Sequence, residues 1–106
     1  MCTVATLKGV ALIKSFKSRA LRRFWMKNDA SQIRPDMVES VRNILSVLDA
    51  ATSLDDIAAR PSLGFHPLKG QKRGTYSVWV NKNWRITFGW YADGPAAVSV
   101  DLLDYH

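Results

Sequence analysis

At 106 residues, the chain is long enough for one domain with a single modest core, and a hydrophobic content of 47% excludes an intrinsically disordered protein. The formal net charge of +6 favours an anionic partner: nucleic acid, an acidic protein or an anionic membrane surface. Of these, the membrane is disfavoured, because no apolar run approaches the roughly 18 residues that a spanning helix needs.

The amino-terminal third predicts one short strand and one helix. Residues 11–16 alternate between apolar and polar side chains near their end, as a strand does. Residues 19–27 place Leu21, Phe24 and Trp25 on one face of a helix, and a loop is expected after them.

The strongest helical pattern follows Pro35, a residue type that is tolerated in the first turn of a helix. Asp36 and Glu39 resemble a capping box at its start. Apolar side chains then recur at helical spacing: Met37, Val41, Ile44, Leu45 and Leu48.

A short second helix and a loop connect this helix to the last third of the chain. Ser53 and Asp56 predict a new N-cap for a helix near residues 54–58. Residues 61–70, with Pro61 and Gly64 near their start, are expected to form a connecting loop.

The last third predicts an antiparallel meander. Residues 75–80, 84–91 and 98–102 alternate between apolar and polar side chains, with short turns at residues 81–83 and 92–95. Because the helices come first, we predict an α+β fold in which amino-terminal helices pack on one face of an antiparallel β-sheet and leave the other face open.

Arg85 and a basic loop are the first candidates for a functional site. The apolar neighbours of Arg85 alternate with it, so Arg85 is expected on the open face if those neighbours pack under the helices. The preceding loop supplies His66, Lys69, Lys72 and Arg73, an imidazole and several cations that suit a phosphodiester substrate. The alternative is a set of solvated charges, with His66 capping or filling a gap.

Directly after the last predicted strand, the chain ends in three proton-handling side chains: Asp104, Tyr105 and His106. Strict alternation places Tyr105 on the side of Arg85 and turns its two neighbours towards the core, which suits titratable groups poorly. The adjacent Leu102 and Leu103 suggest a bulge or bend that breaks this register. The alternative is a frayed terminus.

A second group of cations lies near the amino terminus, with little acidic compensation: Lys14, Lys17, Arg19, Arg22, Arg23 and Lys27. These residues either follow a nucleic-acid backbone or form the solvated side of a helix, and spacing alone favours neither reading. In the first case Lys72, Arg73 and Lys82 are further candidates for RNA binding, together with all members of the group except Lys27.

Metal and disulfide chemistry are disfavoured by composition. Cys2 is the single cysteine, so no internal disulfide can form and a reducing cytoplasm is expected. With two histidines, His66 and His106, beside that cysteine, a dedicated metal site is not expected.

Seven segments, in this order along the chain, resemble the HigB toxins, the plasmid-maintenance killer branch of the RelE-like superfamily. They are Ile13–Phe16, Leu48–Thr52, His66–Gly70, Tyr76–Val78, Val80–Asn81, Asn83–Phe88 and Asp104–His106. The resemblance covers residues 12–106 and is specific as an ordered set.

The resemblance implies a compact RelE-like fold and an endoribonuclease that cuts mRNA in the decoding site of the ribosome without a cofactor or metal. It implies a HigA-type helix-turn-helix antitoxin as partner, with operator DNA bound only through that antitoxin. The catalytic residues that it implies are His66, Lys69, Arg85, Asp104, Tyr105 and His106.

Two features depart from the family pattern. Residues 1–11 precede the usual start of the family and are expected to be an extension, either a misplaced start or a real appendage; the domain proper spans residues 12–106. They show no clear signal-peptide cleavage site. Phe65 stands where the family commonly has leucine, which is a packing change.

The mechanism that these residues suggest uses the 2′-hydroxyl of the RNA as nucleophile. Lys69 and Arg85 would stabilise the charged phosphorane, His66 would act as acid, and His106 or Asp104 as base. Two rival functions remain open at this point: a non-catalytic RNA- or ribosome-binding protein that blocks translation, and a co-repressor that acts only in complex with its antitoxin.

Overall fold

The computed structural model describes residues 13–70, 74–91 and 96–104. Within these ranges three α-helices come first: α1 (Arg19–Lys27), α2 (Val38–Ala50) and α3 (Leu54–Ala58). Two 3₁₀ turns, Pro35–Met37 and Pro61–Leu63, precede α2 and follow α3. One antiparallel sheet of four strands follows, ordered as in the chain: β1 (His66–Pro67), β2 (Thr75–Trp79), β3 (Trp84–Tyr91) and β4 (Ala96–Asp104). This architecture confirms the predicted α+β fold.

Side-chain caps start two of the helices. The hydroxyl of Ser18 accepts a hydrogen bond from the amide of Leu21 at 3.2 Å and begins α1. The hydroxyl of Ser53 accepts from the amide of Asp56 at 3.4 Å and begins α3, as predicted. Each bond satisfies one of the amides that a helix leaves unpaired in its first turn.

The capping box predicted at Asp36 and Glu39 is wrong. A 3₁₀ turn enters α2 without a side-chain cap at either Arg34 or Met37. The carboxylate of Asp36 instead accepts a hydrogen bond from Nε of Arg34 at 3.2 Å, so it is engaged outside the helix.

The core lies between the helices and one face of the sheet. The buried residues of α1 and α2 pack with Val78 of β2, Ile86 and Phe88 of β3 and Val100 of β4 in one cluster. The predicted alternation along β3 is therefore confirmed, with its apolar residues under the helices. The other face of the sheet carries Arg85 and the other residues of β3 that alternate with the apolar ones.

The register of β4 breaks at Ser99, where the backbone is left-handed with a φ of 52°. Thr87 pairs with Asp101 and Gly89 with Val98, so two residues of β4 lie opposite Phe88 alone. This is a β-bulge. The break predicted at residues 102–103 is wrong, because pairing there is regular, and Val98 is shifted to the face opposite that of Val100.

The predicted strand at residues 11–16 is also wrong in its described part. Ile13 and Phe16 form only isolated parallel bridges, to Ala97 and Val100. The bulge supplies the reason: Ser15 accepts both adjacent amides of β4, that of residue 99 through its hydroxyl at 2.9 Å and that of residue 100 through its carbonyl at 3.1 Å. Because Ser15 bonds to two adjacent amides of β4, the alternate spacing of a regular ladder is lost at this point.

The segment that the sequence assigned wholly to a loop contains β1. His66 pairs with Ser77 and Pro67 with Tyr76, which makes β1 the edge of the sheet. Proline is compatible with that place because an edge strand leaves one row of amides unpaired. Every helix in the described ranges is too short or too polar to span a membrane.

Candidate active site on the open face of the sheet

The open face of the sheet brings residues from all four strands into two neighbouring rows, because residues paired across strands share a face. The first row runs across the sheet through His66, Ser77, Thr87 and Asp101. The second contains Trp79, Arg85 and Leu103. Ser77 and Thr87 are small and buried, so larger side chains around them form the walls of grooves.

A groove of about 500 Å³ joins His66 to Arg85 and is called the histidine groove below. Its lining residues are Gly64, Phe65, His66, Leu68, Ser77, Trp79 and Arg85. Two strand spacings and two residues along a strand place the Cα atoms of His66 and Arg85 about 12 Å apart. Side chains from both positions can meet one phosphodiester at that separation.

The guanidinium of Arg85 is held by contacts on either side. One of its terminal nitrogens donates to the carbonyl oxygen of Asn81 at 3.3 Å. Its carbon lies 5.6 Å from the centroid of the Trp79 ring, within the range of a cation–π interaction. Arg85 is thus oriented over the open face as predicted, and partly buried there.

Two further predicted cations flank the histidine groove. Lys69 lies two residues after the end of β1, next to Leu68 of the groove wall, and is exposed. Lys82 lies in the turn between β2 and β3 and lines a second groove, of about 420 Å³, which is called the turn groove below. Trp79 and Arg85 line both grooves and so stand between them.

Asp104 lies on the other face from Arg85. It pairs with Trp84, whose side chain packs against the core, at the exposed end of β4. The sheet therefore does not bring Asp104 into the histidine groove. Four other predicted site residues, Lys72, Arg73, Tyr105 and His106, lie outside the described residues, as does the predicted extension at residues 1–11.

Lys14 and Lys17 extend the positive charge past β4. Lys17 lines a groove of about 450 Å³ over the centre of the open face, together with Thr87 and Asp101. The ammonium of Lys14 lies 5.0 Å from the ring centroid of Tyr91 on the same face. Both lysines are exposed, so both can contact an anionic chain that crosses the sheet.

The arginines of α1 form a separate surface. Arg19, Arg22 and Arg23 line a groove of about 530 Å³ along the exposed side of the helix, with Met26 and Lys27. Arg23 is also within 3.7 Å of the carboxylate of Asp29. Within the described part of the chain, the predicted cations therefore form two groups, one over the open face and one on α1.

Among the residues that the structure describes, two carboxyl groups have displaced pKa values, and neither lines the histidine groove. Hydrogen bonds from Ser31 lower the pKa of Asp29, with a smaller contribution from the charge of Arg23. Hydrogen bonds from the amide and hydroxyl of Thr52 lower the pKa of Asp56. In the described ranges, no three His, Cys, Asp or Glu residues cluster so as to hold a metal ion.

The sequence interpretation missed three residues that shape the histidine groove: Gly64, Ser77 and Trp79. Alternation alone could have found two of them. It places Ser77 and Trp79, like Thr75, on the face of β2 that continues the open face of the sheet. Gly64 gave no such signal, since its role depends on how close Trp79 comes to it.

Comparisons with known proteins cover most of the chain. The model of the HigB-like toxin family, described as the RelE-like toxin of the type II toxin–antitoxin system HigB, matches residues 14–106. A Proteus vulgaris protein named Endoribonuclease HigB is 35% identical over 95 residues, which are 90% of this chain and 100% of that protein. A Vibrio cholerae protein named Toxin HigB-1 is 33% identical over 82 residues, 76% of this chain and 85% of that protein.

Among solved structures, the chain is similar to a YoeB/ParE toxin from Agrobacterium tumefaciens. The TM-score is 0.46 at 21% sequence identity, over 79% of this chain and 84% of that one. The family match includes every strand of the open face.

Proposed function

Because the chain belongs to the HigB-like family of RelE-like toxins of type II toxin–antitoxin systems, we propose that it is an endoribonuclease that cuts mRNA on the ribosome. The Proteus vulgaris relative, named an endoribonuclease and matched over its whole length, supports the enzyme class. The observation that carries the proposal is the histidine groove, in which an imidazole and a guanidinium line one cleft on an open face.

Cleavage begins in this proposal with the 2′-hydroxyl of the RNA. Its oxygen attacks the adjacent phosphorus while a base removes its proton, and the bond from phosphorus to the 5′-oxygen breaks. An acid gives a proton to the departing 5′-oxygen. The products are a 2′,3′-cyclic phosphate and a 5′-hydroxyl, and the balance needs no metal or other cofactor.

Lys69 and Arg85 stabilise the negative charge that builds up on the phosphorane. A guanidinium can bind two phosphate oxygens at once, so Arg85 is the more specific of the two. Its bond to the carbonyl of Asn81 and its place beside Trp79 hold it in position before substrate binds. Such preorganisation is what makes charge stabilisation effective in a site.

His66 acts as the acid in this proposal, from the wall of the histidine groove. An imidazole exchanges protons near neutral pH, which suits general acid or base catalysis. His106 or Asp104 acts as the base. The position of Asp104 on the opposite face from Arg85 favours His106, whose part rests on the family resemblance alone. If replacing both His66 and His106 by alanine left cleavage unchanged, this assignment would be wrong.

Several partners belong to the same proposal. The exposed cations Lys14, Lys17 and Lys82 contact RNA or the ribosome, and so do Arg19, Arg22 and Arg23 on α1. Lys72 and Arg73 have the same role, and Tyr105 stacks on a base or steadies the phosphate. A toxin of this family has an antitoxin partner, which we propose is a HigA-type helix-turn-helix protein that also supplies any binding to operator DNA. The site of action is the cytoplasm, where translating ribosomes are.

A cleavage assay on end-labelled mRNA tests the proposal. The purified chain is incubated with the mRNA, with and without programmed ribosomes, and the ends of any products are analysed. His106→Ala and Arg85→Ala are assayed in parallel. We expect cuts that need ribosomes, leave cyclic-phosphate ends and are lost in both variants.

Two other outcomes would redirect the interpretation. Intact mRNA with stalled translation would contradict the nuclease and indicate a protein that blocks the ribosome by occupancy. No effect of the chain on translation, together with operator binding by the chain and its antitoxin, would indicate a co-repressor.

A further inference from the structure

We propose that Trp79 is a stacking platform for one nucleobase of the RNA strand in the histidine groove. The inference rests on the proposed nuclease function and adds to it a residue that binds the substrate base rather than its phosphate. It follows from the exposure of Trp79, from the support behind its ring and from the charges around it.

Trp79 differs from the other three tryptophans of the chain in its exposure. Trp25, Trp84 and Trp90 are half-buried and pack against the core. Trp79 is 52% exposed, on the open face of the sheet. A large aromatic side chain that the fold leaves in solvent, inside a groove, is a feature of binding surfaces.

The ring of Trp79 is supported from behind by Gly64. A methyl group at Gly64 would lie 2.6 Å from Cδ2 of Trp79, and 2.8 Å from Cε2 and from Cε3. Near-equal distances to three adjacent ring atoms mean that the backbone of Gly64 lies over the face of the indole rather than at its edge. Only glycine permits this approach, and φ is +59° at this position.

The surroundings of Trp79 match an RNA strand. Trp79 and Arg85 stand between the histidine groove and the turn groove, with His66 on one side and Lys82 on the other. No acidic side chain is among the residues described as lining either groove. Single-stranded RNA is bound by this combination, in which cations meet the phosphates and aromatic rings stack on the bases.

The position of the RNA strand follows from these contacts. The guanidinium carbon of Arg85 lies over the Trp79 ring, 5.6 Å from its centroid, so a phosphate bound by Arg85 brings the attached nucleoside next to the exposed part of the indole. The platform thereby orients the nucleotide at the cleaved bond. The competing explanation is that Trp79 only positions Arg85 through the cation–π contact, which would not depend on any base.

The test uses the full chain and ribosomes programmed with mRNA in which single nucleotides of the cleaved codon are abasic. The rate constant kcat/KM is measured for the wild type, Trp79→Leu and Trp79→Phe. In the wild type we expect one abasic position to lower kcat/KM by about 5- to 150-fold, the range of stacking on one base. Trp79→Leu should show a similar loss on intact mRNA and no further loss at that position, and Trp79→Phe should retain much of the wild-type response.

Tyr91→Leu is the matched control, because Tyr91 is a second exposed aromatic of the open face, 44% exposed, and lines neither groove. This variant should keep the wild-type penalty at the abasic position. Wild-type kcat/KM in Trp79→Leu would overturn the stacking platform. So would losses from Trp79→Leu and from the abasic position that multiply independently, which is the result a purely positioning role predicts.

A binding measurement tests the stacking role of Trp79 independently of the proposed nuclease activity. Affinity is measured for ribosomes carrying an mRNA with a 2′-deoxy nucleotide at the cleavage position, which lacks the nucleophile. If the wild type cuts nothing but its affinity shows the same base dependence through Trp79, the platform stands and the nuclease falls. If the wild type neither cuts nor binds, both are overturned.

Discussion

The two faces of β3 serve opposite purposes. On one face Ile86 and Phe88 are completely buried under the helices. On the other, Arg85 is oriented by Asn81 and Trp79 over an open groove. One strand of eight residues therefore carries both the centre of the core and the centre of the candidate site.

Alternate residues of β3 therefore contribute to different properties. Those on the core face determine stability, and those on the open face determine activity. A substitution on the core face removes buried apolar surface, and a substitution on the open face removes charge or hydrogen bonding with little effect on packing. Adjacent residues of β3 should thus give opposite phenotypes.

The largest expected effect on stability comes from Phe88→Ala. Phe88 is completely buried and packs near Tyr76 and Phe65, with ring centroids 5.8 and 6.5 Å away. Truncation should lower the free energy of unfolding by about 3–5 kcal/mol, measured by urea denaturation. Tyr91→Ala on the opposite face of the same strand is the control and should cost less than about 1 kcal/mol. Equal losses of unfolding free energy in the two variants would contradict the assignment of stability to the core face of β3.

The largest expected effect on activity alone comes from His66. His66→Ala and His66→Gln should each slow cleavage about 10²–10⁴-fold, because neither side chain can exchange a proton near neutral pH. His66 is exposed in the edge strand, so unfolding should change by no more than about 0.5 kcal/mol. Full cleavage by His66→Gln would show that the residue only donates or accepts a hydrogen bond.

A moderate effect, on stability alone, is expected from the cap of α1. Ser18→Ala removes the hydroxyl that accepts the Leu21 amide and should cost about 1 kcal/mol in unfolding free energy. Ser18 lines neither the histidine groove nor the turn groove, so the rate of cleavage per folded molecule should not change as long as α1 keeps its place. A slower rate at full folding would mean that the cap also positions the arginines of α1 that we propose to contact RNA or the ribosome.

The smallest expected effect is on the stability of the fold at acidic pH. Hydrogen bonds from Thr52 lower the pKa of Asp56 below its ordinary value of 3.8 in the folded chain. The charged carboxylate therefore adds stability above that value, which is lost as the pH falls through the folded pKa. Unfolding at pH 7 and pH 3 should show a slightly weaker acid dependence in Asp56→Asn, since the side chain is exposed. An equal loss of unfolding free energy between pH 7 and pH 3 in the wild type and in Asp56→Asn would contradict this contribution.

Much of the fold could be predicted because local chemistry determined it. The alternation along β3 and the Ser53 cap are set by neighbouring residues, and both are confirmed. The bulge at Ser99 and the isolated bridges that replace a regular strand at residues 13–16 could not be predicted, since they depend on one another across the fold. Ser15 bonds to both amides of the bulge, 84 residues away for the Ser99 contact.

The site was predictable in its charged residues and less so in its walls. His66 and Arg85 were named from the sequence, and the register of three strands places them in one groove. The pairing of Gly64 with Trp79 was not foreseen, because a close backbone approach leaves no periodic pattern. Asp104 was named as well, but it lies two positions after Leu102 in a stretch of regular pairing, so it stays on the core side.

The most direct measurement pairs cleavage with stability in Arg85→Ala. Cleavage of mRNA on programmed ribosomes and the free energy of unfolding in urea are determined on the same preparation. We predict a rate lowered by about 10²–10³, the loss expected for one charge-stabilising group, with the free energy of unfolding lowered by only about 1–2 kcal/mol, since the variant loses the bond to Asn81 and the contact with Trp79 but keeps the core. An unchanged rate, or a loss of activity matched by a loss of folding, would contradict the assignment of catalysis to the open face.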